Sequence, residues 1–253
     1  MKNKLINLLI VLLLAVSIGF GAKAIYEYRN LEKSKDLYDQ IILQVQNIKE
    51  QEQGSPHIDG LPLMQYAEIQ LQNPDFYGWI KIDGTHVNYP VMHTPNDPEY
   101  YLRRDFNGDY SIPGTIFMDG RNSKNDDNLI IYGHYMENGT MFGDILNYAD
   151  EAYFKEHPVI HFDDIYHENE YEIMAVFFDY VHEVDDTDFK YYNFINAYDE
   201  SEFDYVIDTL HEKSLYDTNV DAEYGDQLIT LSTCSYHVDD GRFVVVAVKH
   251  QDK

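Results

Sequence analysis

The chain contains the stretch Gln227-Leu228-Ile229-Thr230-Leu231-Ser232-Thr233-Cys234, in which a strand pattern ends at the only cysteine of 253 residues. A polar turn follows at residues 235–241, and Arg242 then opens the apolar run 243–248. The two runs predict strands, with the thiol of Cys234 at a strand end where a loop begins. If these strands pair, the guanidinium of Arg242 lies near the thiol.

The thiol of Cys234 has three interpretations: a buried small hydrophobe, a bridge between two chains, or a reactive nucleophile. The polar residues that follow Cys234 are typical of the solvent-facing end of a strand rather than of the protein core. A thiol at such a strand end, beside a cationic group, is suited to nucleophilic catalysis. A single cysteine excludes an internal disulfide framework and any multi-cysteine metal site.

A general base for this thiol is predicted at a second strand end. His134 follows the apolar run 128–132 and Gly133, where the backbone is free to turn sharply. A solvated loop histidine is the alternative interpretation, and His237, three residues from the thiol, is a rival base. Arg242 supplies the cation that acyl transfer needs for a developing oxyanion, unless it forms a surface ion pair with the neighbouring Asp239 or Asp240.

Composition places the chain among globular proteins of one domain, at most two. It is 44% hydrophobic and 25% charged, with 45 acidic residues, 18 basic residues and a net charge of −27. Such a charge repels a polyanion and therefore argues against nucleic-acid binding.

The N-terminal segment predicts export. Residues 5–20 form an apolar run behind Lys2 and Lys4, near the lower length of a membrane-spanning helix. Ala22-Lys23-Ala24 also fits a signal-peptide cleavage site, but the run is longer than a usual signal core, which favours an uncleaved anchor. The first 24 residues contain three lysines, Lys2, Lys4 and Lys23, and no acidic residue. The rest of the chain therefore carries 15 basic and 45 acidic residues, a net charge of −30.

The remaining pattern predicts helices followed by many strands. Residues 25–52 are expected to form a polar helical stalk, with a short helix at 63–71, a hairpin around Asp83-Gly84 and further helices at 141–148 and 202–213. Strands are expected near residues 79–82, 85–89, 115–118, 128–132, 159–162, 171–181, 227–233 and 242–249. So many strands between polar turns favour a closed barrel or a sandwich.

Three blocks resemble the sortases, cysteine transpeptidases of Gram-positive surfaces. Leu231-Ser232-Thr233-Cys234 is similar to their Leu-x-Thr-Cys signature, Tyr132-Gly133-His134 to their histidine motif, and Arg242 with the valines after it to their arginine strand. Residues 73–80, 114–119 and 138–142 resemble class B in particular. The 100-residue interval from His134 to Cys234 has room for the extra class B helix, for which residues 202–213 are the candidate.

The resemblance implies a mainly β fold: a closed eight-stranded barrel with N-terminal helices and an extra helix in a barrel loop. It implies an anchor at residues 1–24, a helical stalk or linker at 25–62 and an extracellular catalytic domain at 63–253, in a single-pass protein of the cell membrane.

The resemblance also implies an activity without cofactor or metal. Cys234 is then the nucleophile, His134 the general acid and base, and Arg242 the group that holds the substrate and the oxyanion; Ser232 and Leu102 align with substrate-groove positions. A sorting signal is cleaved after Thr through a thioester, and a cell-wall amine accepts the protein. Ser235 stands where many class B members have an acidic residue directly after the cysteine. The exact motif of the sorting signal is therefore left open.

Two other functions remain open from the sequence: a cysteine peptidase that hydrolyses a similar signal, and an anchored binding module without catalysis. Acidic clusters at residues 163–164, 185–188 and 239–240 raise the question of calcium. Their spacing does not match an EF-hand loop, and solvated loops are the expected structure.

Overall fold

The computed structural model describes residues 2–52, 58, 60–183 and 185–251. The helices are α1 (Lys2–Gln51), α2 (Met64–Gln72), α3 (Glu151–Glu156) and α4 (Glu200–Lys213), with short 3₁₀ turns at Tyr100–Arg103, Asp144–Ala149 and Tyr191–Asn193. The strands are β1 (Phe76–Lys81), β2 (Asn88–Met92), β3 (Ile116–Met118), β4 (Asn128–Tyr132), β5 (Val159–Asp164), β6 (Glu170–Tyr180), β7 (Gln227–Cys234) and β8 (Gly241–Lys249).

The eight strands close into a barrel in the order β1-β2-β3-β4-β7-β8-β6-β5, with β5 paired back to β1. The β2–β3 and β4–β7 pairs are parallel and the others antiparallel. The expected eight-stranded barrel is thereby confirmed, and closure leaves no unpaired sheet edge.

The strand alternation divides the apolar residues between two cores. Ile229, Leu231 and Val245 belong to the larger cluster, whereas Leu228 and Val244 belong to a second cluster with α4. Because successive side chains of a strand point to opposite faces, the second cluster covers the other face of β7 and β8.

Helix α4, in the β6–β7 connection, is the extra helix that the resemblance implies. The side chain of Asp199 accepts a hydrogen bond from the amide of Glu202 at its N-terminus. Its buried residues, Phe203, Val206, Ile207 and Leu210, follow the helical period and pack into the second core.

Helix α1 is continuous over 50 residues and has two different environments. Its first half has the length and apolar composition of a membrane-spanning helix, and its most apolar window is not buried. Its second half packs on the barrel through Tyr38, Ile41 and Val45, which are all buried. The residues expected to form a stalk therefore lie partly against the barrel.

The predicted helix at residues 141–148 is wrong in its first half. Met141 has a φ of 52°, and only Asp144–Ala149 forms a turn, of the 3₁₀ type. The amide of Phe142 donates to the carbonyl of His134 instead of to a helical partner, because this segment folds back on the histidine loop.

Candidate active site

Cys234 and Arg242 lie side by side on the β7–β8 hairpin. Cys234 is the last residue of β7, and the antiparallel register places it directly opposite Arg242. Directly opposed residues project to the same face of a sheet, so thiol and guanidinium share one side. The cysteine is free and half-buried, as a rim nucleophile requires.

His134 reaches the same end of the barrel because β4 and β7 run parallel. Tyr132 is opposite Ser232 in the register, and two hydrogen bonds continue the pairing: the amide of Gly133 to the carbonyl of Ser232 at 3.2 Å, and the hydroxyl of Thr233 to the carbonyl of Gly133 at 2.9 Å. The strand ends that precede His134 and contain Cys234 therefore lie side by side, as the sequence predicts.

The backbone carbonyl of Leu102 fixes the tautomer of His134. The Nε2 atom lies 2.8 Å from this oxygen. Since a carbonyl only accepts, Nε2 carries a hydrogen, and in the neutral ring Nδ1 is the nitrogen with a lone pair that can accept a proton. Burial lowers the pKa of His134, the charge of Arg103 adds to the decrease, and the bond to Leu102 opposes it. The imidazole is therefore more readily deprotonated than an exposed one.

One cavity of about 320 Å³ brings the sequence-predicted residues together. Its walls include Cys234, His134, Arg242, Ser232 and Leu102. The remaining lining residues are Pro98, Glu99, Phe117, Asp119, Gly120, Tyr132, Gly133 and Thr233. A thiol, an imidazole and a guanidinium around one cavity can carry out acyl transfer through a thioester.

Arg242 is held by backbone oxygens. Its Nη1 atom donates to the carbonyls of Asp240 and Gly241 at 3.2 and 3.0 Å. Among the described residues, no carboxylate lies within ion-pair distance of this guanidinium, so the surface ion pair with Asp239 or Asp240 is not formed. Arg242 is therefore a cation without an ion-pair partner among the described residues, and it lines the cavity.

Ser232 is almost completely buried, at 2% exposure. Its hydroxyl lies 2.8 Å from the hydroxyl of Tyr191, in the β6–β7 connection. Burial raises the pKa of Tyr191 to about 12, so its hydroxyl stays protonated at neutral pH. Ser232 thus lines the cavity and also fastens the loop that contains Tyr191.

Asp119 is a member of this site that was not predicted from the sequence. Asp119 lines the cavity, receives two bonds from the guanidinium of Arg121, and accepts from the hydroxyl of Tyr132 at 3.0 Å. Burial opposes its charge, but the bonds from Arg121 outweigh it and hold the pKa of Asp119 below its usual value. An acidic residue directly after a buried strand was the available signal.

The other histidine and acidic candidates lie elsewhere. His237 is absent from the cavity lining; its Nδ1 is 3.0 Å from the hydroxyl of Ser235. The expected solvated loop is wrong for Asp163, which lies in β5, is buried, and accepts from the hydroxyl of Tyr66.

One group in the described chain has ligand atoms close enough to hold a cation. His182, Asp186 and Asp188 place one ligand atom each within 4.8 Å of one another. Both ring nitrogens of His182 already have carboxylate partners, Asp186 at 2.8 Å and Asp179 at 2.9 Å. Ion pairing accounts for this cluster.

Known proteins are similar to this chain in sequence and in fold. A family model described as the sortase domain matches residues 80–250. Sortase B of Staphylococcus aureus is 31% identical over 97% of this chain and 96% of its own length. Sortase B of Listeria monocytogenes is 32% identical over 76% of each chain.

Solved structures agree with these sequence matches. The S. aureus sortase B–substrate complex superposes with a TM-score of 0.75 and 26% identity, covering 88% of this chain and 98% of that one. Sortase B of Bacillus anthracis gives 0.73 and 29%, covering 89% and 100%. The chain therefore belongs to the sortase family, and within it to class B, whose members are cysteine transpeptidases.

Proposed function

We propose that this sortase cleaves a C-terminal sorting signal after Thr and transfers the protein to an amine of the cell wall. The observation that carries the proposal is the single cavity shared by Cys234, His134 and Arg242. These three side chains supply a nucleophile, a proton carrier and a fixed cation, which together are sufficient for two successive acyl transfers.

In the first transfer, the thiolate of Cys234 attacks the carbonyl carbon of Thr. The carbon–nitrogen bond breaks, and Nδ1 of the His134 imidazolium gives its proton to the leaving amine. The guanidinium of Arg242 stabilises the negative charge on the carbonyl oxygen. In the second transfer, the acceptor amine attacks the thioester, Nδ1 of His134 takes the proton, and the thiolate of Cys234 leaves.

Ser232 and Leu102 are proposed as contacts for the sorting signal. Both line the cavity, and Leu102 is half-buried there. Solved relatives support a peptide and an amine as ligands, since S. aureus sortase B has been determined as a substrate complex and a sortase B has been determined in complex with triglycine.

We place the enzyme in the cell membrane, with residues 1–24 as a single-pass anchor, 25–62 as linker and 63–253 as the extracellular catalytic domain. The exposed, apolar first half of α1 supports this division. Protease added to intact cells should remove the barrel and leave the anchor; protection of the barrel would contradict this topology.

Product analysis tests the transfer itself. A peptide library with one fixed Thr is incubated with the full chain, with and without triglycine or a diaminopimelate-type amine. We expect cleavage after Thr and, with an effective amine, a product joined to it. Release of the free acid alone in the presence of every amine would make the protein a peptidase. Cys234→Ala, which removes only the sulfur, should give neither product.

A further inference from the structure

The second half of α1 is bonded to the 104–115 loop, which lies between the 3₁₀ turn Tyr100–Arg103 and β3. The side chain of Asn30 donates to the carbonyl of Tyr110 at 3.0 Å and accepts from the amide of Ile112 at 2.8 Å. The buried hydroxyls of Ser34 and Ser111 lie 2.8 Å apart. This loop therefore has the N-terminal helix as a fixed support.

Tyr38 makes the deepest of these contacts. It is 3% exposed, and its hydroxyl donates to the carbonyl of Gly114 at 2.9 Å and lies 2.7 Å from the hydroxyl of Thr115. The carbonyl of Gly114 can only accept, so Tyr38 is the donor in that bond. The Thr115 hydroxyl itself donates to the carbonyl of Arg104 at 2.8 Å, so the single proton of Tyr38 is shared between the oxygens of Gly114 and Thr115. Burial raises the pKa of Tyr38, which keeps this donor protonated.

Gly114 passes this support to the carbonyl of Leu102. Its φ is +64°, and a Cβ placed on it would lie 2.5 Å from the oxygen of Leu102 and 2.7 Å from that of Tyr101. The amide of Thr115 also donates to the carbonyl of Tyr101 at 3.0 Å. The peptide that contains the Leu102 oxygen is thus packed directly against Gly114.

The same oxygen of Leu102 accepts from Nε2 of His134. An unbroken series of contacts thereby joins Tyr38 to Gly114, Gly114 to Leu102, and Leu102 to the imidazole. We infer that Tyr38, on the N-terminal helix, is a positioning residue that holds the Leu102 carbonyl and through it the orientation and tautomer of His134. The inference rests on the proposed function of His134 as the proton carrier.

Tyr38→Phe tests the inference in the full chain, because it removes the hydroxyl and keeps the ring. ¹⁵N NMR of histidine-labelled protein in detergent reports the tautomer, with His134→Gln assigning the signal. We expect a single Nε2–H tautomer in the wild type and an added Nδ1–H population in the variant. We also expect kcat to fall about tenfold with KM nearly unchanged, since proton transfer rather than binding loses its geometry.

Tyr148→Phe is the matched control. The hydroxyl of Tyr148 is also buried and donates to a backbone carbonyl, that of His157 at 2.8 Å, but it is not part of the cavity lining. It should lower the melting temperature comparably to Tyr38→Phe while leaving the tautomer and kcat as in the wild type.

Gly114→Ala tests the middle of the series. Its Cβ should displace the Leu102 oxygen and produce the same mixed tautomer as Tyr38→Phe. Gly60→Ala controls for backbone strain, because Gly60 has a φ of +81° and, apart from its chain neighbours, no described residue has an atom within 4 Å of the added Cβ.

A single Nε2–H tautomer with wild-type kcat in folded Tyr38→Phe would overturn the inference, as would equal effects from Tyr148→Phe. If Gly114→Ala does not fold, Tyr38→Phe decides alone. The NMR measurement of the His134 tautomer does not require the enzyme to be active, so it tests the inference independently of the proposed function. Failure of the proposed function would appear separately, as normal transfer by the His134→Gln enzyme.

Discussion

Arg242 is the side chain that we propose to hold the substrate carbonyl oxygen. Two backbone carbonyls hold its Nη1, and within the described residues its other donors have no hydrogen-bond partner, so they could bind a carbonyl oxygen. A lysine keeps the charge but not the fork of donors. We expect Arg242→Lys to lower kcat/KM roughly 100-fold, in the range for loss of an oxyanion donor.

Steady-state kinetics with a cleaved library peptide measure this effect. Arg29→Lys is the control, since Arg29 is exposed on α1 and should keep full activity. Wild-type kcat/KM in Arg242→Lys would show that charge alone is sufficient there.

His182 predicts a pH dependence of stability. Burial disfavours its charge, but the bonds to Asp186 and Asp179 outweigh this and raise its pKa. A raised folded-state pKa gives stabilisation that is fully present below the ordinary value and is lost as pH rises through the folded value. His182→Asn should therefore lower the free energy of unfolding by roughly 2 kcal/mol at about pH 5.5 and by less at about pH 9.

Urea unfolding at the two pH values measures this difference. Lys213 also pairs with Asp179, at 3.3 Å, and should limit the loss at high pH. His211→Asn is the control because its pair with Asp221 is exposed, and it should have little effect at either pH. An equal loss at both values in His182→Asn would contradict a charged His182.

Among the secondary-structure elements, most strands were predictable, but the strand predicted at 85–89 lies at Asn88–Met92. The contacts that these elements make to the site were only partly predictable. The apolar patterns predicted the bounds of β4, β7 and β8 to within a residue or two. This was possible because the burial of strand residues follows the local pattern of apolar residues in the sequence. The bond from His134 to Leu102 was not predictable, since a backbone carbonyl has no residue signature. Tyr191 likewise reaches Ser232 only through the folded β6–β7 connection.

Helix α4 is expected to stabilise the barrel through its buried face. Phe203 is fully buried against the second core. Phe203→Ala should lower the free energy of unfolding by about 3–5 kcal/mol through lost burial and a cavity. Tyr205→Ala, at a 62% exposed position of the same helix, should change it by less than about 0.5 kcal/mol in the same denaturant experiment. Similar losses for both would contradict this packing.

The net charge of the whole molecule is −27, so the enzyme is expected to bind a cationic acceptor amine faster than a neutral one. Triglycine amide and triglycine form a matched pair that differs by one charge. Raising ionic strength from about 20 to about 200 mM should lower kcat/KM for the amide about twofold or more and affect triglycine less. Equal salt effects on the two acceptors would show that the charge does not attract the amine.

Helix α1 also joins the apolar N-terminal segment to the barrel near the cavity. Composition predicted the apolar segment, but the bonds of α1 to the 104–115 loop are tertiary contacts between residues about 80 positions apart. Such pairs leave no mark in one sequence, which is why a stalk was expected where part of the helix packs on the barrel.

Mass spectrometry of the trapped intermediate shows whether Cys234 forms the thioester. The full chain is mixed with a library peptide that it cleaves, quenched in acid without an amine acceptor, and digested. We expect Cys234 to carry the peptide fragment that ends in Thr, and triglycine added before the quench to remove it. An adduct on another residue, or cleavage that persists in Cys234→Ala, would rule out Cys234 as the nucleophile.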